Sequence, residues 1–93
     1  MASYFVWSGG DGSGTTFSDD PTDSANWAVA MNSLATAAIG TSADDTIFVA
    51  HDHAASLSTQ SVVFPSLSRP VRVIVVNRTT GAATTGAKET SSG

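Results

Sequence analysis

A mainly β protein with one amphipathic α-helix, its strands stacked as coils of a solenoid, is the fold class this sequence predicts. Three observations carry the prediction. Thr46-Ile47-Phe48-Val49-Ala50-His51 and Arg72-Val73-Ile74-Val75-Val76-Asn77 match position for position at an offset of 26 residues. A third β-type run, Ser61-Val62-Val63-Phe64, lies between them, and a single helical stripe precedes them. Similar strands one long loop apart are the pattern of stacked coils, which bury their faces only against neighbours.

Tyr4-Phe5-Val6-Trp7 is rich in β-formers and predicts a first strand. The run Ser8-Gly9-Gly10-Asp11-Gly12-Ser13-Gly14 breaks regular structure and predicts a hinge or surface loop. The helix is predicted from about Ser24 to Ile39. Trp27, Met31, Leu34 and Ala38 form one stripe of a 3.6-residue period, Asp23 or Ser24 suits the N-cap, and Gly40 suits the stop. Asp44-Asp45 is turn chemistry. The apolar residues of Ile47–Ala50 and Val73–Val76 are consecutive, which suits parallel strands covered on both faces. Ala54 to Gln60 reads as a polar loop. The predicted core is Trp27, Met31, Leu34, Ile47, Val49, Val63, Val73 and Val75.

Ninety-three residues allow one domain, divided as a strand and Gly/Asp-rich arm (1–23), a helix plus β-coil (24–77), and a Thr/Gly/Ser-rich tail or unfinished coil (78–93). A chain this short buries only about 60–65% of its unfolded surface. Cysteine is absent, so no disulfide helps, and oligomerisation or attachment to a larger body becomes the expected source of extra stability. Charged residues are 13% of the chain, roughly half the usual quarter, which suits surfaces that meet other protein. Four bases against eight acids are too few for a nucleic-acid footprint. No apolar run reaches the roughly 18 residues of a membrane span, and Met-Ala-Ser-Tyr-Phe lacks a basic, apolar secretory start.

The order of these segments carries a family resemblance. An aromatic strand, a Gly/Asp loop and a Trp-bearing helix precede Asp44-Asp45-Thr46-Ile47-Phe48-Val49-Ala50-His51-Asp52-His53, then Arg69-Pro70-Val71-Arg72-Val73-Ile74-Val75-Val76-Asn77. From Ala25 to Asn77 the chain resembles the opening of right-handed parallel β-helix (pectin-lyase-like) proteins of tailed bacteriophages. There a helix caps the first coil and a Gly-Asp-Thr-Ile-Tyr-Val motif begins the first parallel strand; here Asp44 replaces the Gly and Phe48 the Tyr. The resemblance implies a capping helix with about one to one and a half coils. It also implies a virion structural role in head decoration, fibre or tailspike, synthesis in the host cytoplasm, capsid or tail proteins as partners, and a homo-oligomer with a trimer favoured.

Candidate chemistry is sparse. His51 and His53, two apart at a strand end, would face one side and reach one metal ion, but spacing supplies no third or fourth ligand. Their ordinary role is a polar strand end, and no cofactor is expected. The Gly-rich loop lacks the Lys of a phosphate-binding loop. Asp19, Asp20 and Asp23 suit either a calcium ion or a solvated helix start. No Ser/His/Asp arrangement or converging carboxylate pair points to catalysis, so no enzyme activity is expected of this chain. Tyr4, Phe5, Val6 and Trp7, as an unpaired apolar strand, are the expected partner-binding residues. Competing readings are the N-terminal cap of a carbohydrate-active β-helix enzyme and a small α+β binding module.

Overall fold

The computed structural model describes residues 3–33, 44–57 and 71–91. Its centre is a three-stranded parallel sheet of β1 (Ser3–Val6), β2 (Thr46–Ala50) and β4 (Arg72–Val76), in the order β1-β2-β4. Ile47 stands level with Val73, and the two strands run the same way, so the repeat at offset 26 is a register. β1 extends the same ladder, with Tyr4 level with Ile47 and Val6 with Val49. Three rows of like side chains result: Tyr4-Ile47-Val73, Phe5-Phe48-Ile74 and Val6-Val49-Val75. A second parallel sheet pairs β3 (Ala54–Leu57) with β5 (Lys88–Ser91).

Consecutive apolar residues are explained by a core on each side of the sheet. Phe5, Ala50 and Val76 face the helix side with Trp27 and Ala30, and Trp7, Phe48 and Ile74 pack around them. Val6, Ile47 and Val49 form the other core with Tyr4, Met31, Val71, Val75 and Ala87. The row through Phe5 is aromatic, with Phe5 stacked on Phe48 at 5.4 Å and edge-on to Trp27 at 5.0 Å between ring centres.

Helix α1 spans Ser24–Ala28 and residues 29–33 are not helical, while the predicted helical residues 34–39 lie outside the described residues. Asp23 caps it, accepting a hydrogen bond from the Ala25 N–H at 3.0 Å. The stripe misleads at Met31 because the backbone there finds partners outside the helix. Met31 lies beside Val6 in a parallel bridge: its N–H donates to Phe5 O at 2.9 Å, and Trp7 N–H donates to Met31 O at 2.8 Å. The carbonyls of Ala28, Val29 and Ala30 accept from the N–H groups of Asp11, Gly14 and Gly12. The chain at Met31 thereby closes the outer edge of β1, which a helix continued through Met31 would leave open.

The Gly-rich loop is therefore bonded to residues 28–30 through Asp11, Gly12 and Gly14, which suits the surface loop of the two expected roles. Gly10 is obligatory for this contact: a Cβ there would lie 2.8 Å from Ala30 N and closer still to its carbonyl oxygen. Asp44 has φ of +66°. That is left-handed backbone, occupied by a residue type that tolerates it.

Several expectations are corrected. Val73 sits in the ladder but is 44% exposed, on β4, the outer strand of the described sheet. Met31 and Val75 are half-buried supports of the core, while Trp27, Ile47 and Val49 are fully inside it. The polar stretch after His53 contains β3, and the Thr/Gly/Ser-rich stretch ends in β5. The predicted strand at Ser61–Phe64, and the core residues Leu34 and Val63, lie outside the described residues.

Candidate functional site

Parallel strands in register deliver the residues after their last positions to one end of the sheet. Trp7 follows β1 directly, and Asp52 and Arg78 each stand two residues past the ends of β2 and β4. Because Ala50 is level with Val76, Asp52 and Arg78 meet. Arg78 Nε donates to Asp52 Oδ1 at 2.9 Å and Nη2 to Oδ2 at 2.6 Å, a two-pronged ion pair. The guanidinium lies over the Trp7 ring, 3.8 Å from its centre. The indole also lies against Gly9, where a Cβ would run into Cε2 and Cζ2.

Beside this corner a cleft of about 390 Å³ opens between the sheet end and α1. Trp7, Trp27 and Arg78 give it flat surfaces, and Thr22, Ser24 and Thr79 give it hydroxyls. Trp27 is held by its indole N–H, which donates to Pro21 O at 2.7 Å. The segment before the helix is fastened by Asn26, fully buried. Its Oδ1 accepts from the N–H groups of Phe17 and Ser18, and its Nδ2 donates to Ser18 O, Ser18 Oγ and Asp20 O.

The hydrogen bonds from Arg78 hold the Asp52 carboxyl below its ordinary value near 3.8, and the neighbouring charge adds to them. A carboxylate kept ionised in this way makes a poor general acid near neutrality. The corner is a charge-paired stack of Asp52, Arg78 and Trp7.

A depressed carboxyl contributes stability above its unfolded pKa, lost as the pH falls through the folded value. Arg78 is pushed up, mainly by its hydrogen bonds to Asp52, so its share is complete at every pH below its unfolded value. Comparing wild type with Asp52→Asn in urea should give a difference of about 0.5–1 kcal/mol near neutrality, a partly exposed pair being screened. That difference should close below about pH 4. A gap independent of pH would show that the pair contributes through packing alone.

The predicted site residues are distributed differently from expectation. His51 and His53 do not share a strand face. The chain turns at His51-Asp52, closed by His53 N–H donating to Ala50 O at 3.0 Å. His51 is part-exposed and His53 is 1% exposed. Among the described residues no cluster of three or more His, Asp or Glu side chains is placed to hold a metal ion. Two of the three acids Asp19, Asp20 and Asp23 are used locally: Asp20 accepts from Thr22, and Asp23 caps α1 and accepts from Ser18 Oγ.

Tyr4, Phe5, Val6 and Trp7 were expected to be an unpaired strand awaiting a partner. They are instead bonded on both sides, with Phe5 2% and Val6 0% exposed. Tyr4 packs on the second core, and burial followed by the adjacent Asp45 carboxylate pushes its phenol up. Of the four, Trp7 alone reaches the cleft. The Asp52–Arg78 pair was missed, although its signal was present: the offset of 26 continues past the matching strands to an acid and a base. No helix among the described residues is long and apolar enough to cross a membrane. No protein-family model, curated protein or solved structure matches the chain.

Proposed function

We propose that this chain is a structural building block of a bacteriophage virion, a head decoration, fibre or tailspike component. It is the helix-capped start of a right-handed parallel β-helix and acts through contacts with other virion proteins. The observation that carries the reading is the paired stepping of two sheets. β2 turns at His51-Asp52 into β3, and the next passage of the chain lays β4 on β2 and β5 on β3, both parallel. The passages through β2 and β4 thus each add one strand to both sheets, while β1 adds to the first alone, and this stepping supports a coil. Right-handed return connections are the general rule for parallel strands. The closure of β1 by residues 29–31 supports a cap at that end, and the low charge content suits a body that meets protein on several sides.

The test is particle association. An antibody to this chain, applied to particles banded on a density gradient from a lysate of the encoding phage, should label capsid or tail in electron micrographs. Chain recovered only in the soluble fraction would overturn the assignment. Cleavage of a polysaccharide by the purified chain would move the reading to a carbohydrate-active enzyme.

A further inference from the structure

The cleft beside the Asp52–Arg78 corner has a mostly apolar lining and an anionic rim. Trp7 and Arg78 form its wall at the sheet end, and Trp27 and Ala28 form its wall on α1. Both walls are fixed by bonds within the chain. Asp52 holds Arg78 against the Trp7 ring, and Pro21 O holds the Trp27 indole. A volume of about 390 Å³ is at the small end of ligand sites and suits one large side chain. The charge lies on the rim. Asp20 accepts from the N–H and the hydroxyl of Thr22, which lines the cleft, and Asp23 stands between Thr22 and Ser24, both of which line it. Asp19 is exposed beside Asp20. Arg78 is the cation of the lining, and Asp52 already answers its charge.

We infer that the cleft seats a tyrosine side chain of another protein, on a segment where lysine or arginine flanks that tyrosine. The inference rests on the virion reading and names the chemistry of the partner. An aromatic ring suits walls made of indole and guanidinium, and Ser24 and Thr79 bring hydroxyls to its phenol. Trp and Arg are the residue types that most often anchor a contact between proteins. Charge complementarity selects the flanks, because basic neighbours of the tyrosine meet Asp19, Asp20 and Asp23 on the rim. A second copy of this chain does not offer such a segment. Its bases are Arg69, Arg72, Arg78 and Lys88, and none has an aromatic residue within four positions.

Titration of the full chain with the N-acetylated, C-amidated peptide Lys-Tyr-Lys, followed by NMR, tests it. A dissociation constant of about 1 mM is expected for one seated side chain, with the Trp7 and Trp27 indole N–H signals moving. The peptides Glu-Tyr-Glu and Lys-Ala-Lys should each bind about tenfold more weakly, and added salt should weaken Lys-Tyr-Lys. Ala28→Trp, at an exposed position of the wall, should fill the cleft and weaken Lys-Tyr-Lys by about tenfold, with the thermal transition of the chain unchanged. No binding of Lys-Tyr-Lys at about 10 mM, equal binding of Lys-Tyr-Lys and Glu-Tyr-Glu, or affinity unchanged by Ala28→Trp would overturn the inference. The particle assay separates this failure from that of the virion reading. Wild type on particles with Ala28→Trp absent is the expected result. Ala28→Trp retained on particles beside the wild type overturns the cleft assignment alone, and a wild type absent from particles overturns the virion reading.

Discussion

Replacing Asn26 by alanine is expected to destabilise the protein by about 2–4 kcal/mol, the cost of orphaning several buried polar groups at once. The amide is fully buried and bonded through both of its ends to Phe17, Ser18 and Asp20. Alanine cannot replace any of those bonds, and the groups left behind stand partly out of reach of water. For a chain of this size the total stability is about 5–14 kcal/mol. Each kcal/mol is worth about 4–8 °C in melting temperature, so a drop of roughly 10–25 °C is expected in a thermal scan followed by circular dichroism. Hydrogen exchange should report the local cause, because the Phe17 and Ser18 amides lose their acceptor and should exchange faster than those of β2. A loss below about 0.5 kcal/mol, or unchanged protection at Phe17 and Ser18, would show that water or the loop backbone takes over from the side chain.

Asn26 also marks the boundary of what was legible in the sequence. Parallel pairing of β2 with β4 was legible because the two segments repeat each other, and a repeat carries its own register. The third copy, Tyr4-Phe5-Val6, is shorter and 43 residues ahead of Ile47-Phe48-Val49, so it read as a lone strand needing an outside partner. The helix stripe failed at Met31 because periodicity records which side chains are buried and is silent on where the backbone bonds go. Met31 is half-buried as the stripe required, yet it reaches that position in extended form beside Val6. Polar hubs are harder still. An Asn after an N-cap looks like any solvated helix residue until the loop that wraps it is known. The Asp52–Arg78 corner was concealed for the opposite reason: each residue is ordinary alone, and only the register makes them a pair.

Trp27→Ala is expected to be the most damaging single substitution in the helix, at about 3–5 kcal/mol. Trp27 is 2% exposed, meets Phe5 edge-on, and donates its indole N–H to Pro21 O. A five-residue helix has no stability of its own; this side chain is what fastens it to the sheet. Trp27→Phe keeps an aromatic ring against Phe5 but leaves Pro21 O without its donor, and should cost about 1–2 kcal/mol. Urea unfolding followed by circular dichroism would rank the two, and a loss under about 1 kcal/mol for Trp27→Ala would show that α1 is held by other contacts. Trp27 and Asn26 are adjacent and hold the same short element, so their effects should not add. Once either is lost, α1 and the 17–20 segment detach together, and the double variant should fall well short of the summed single losses. Full additivity would mean that the loop bonded by Asn26 and the core anchored by Trp27 unfold independently.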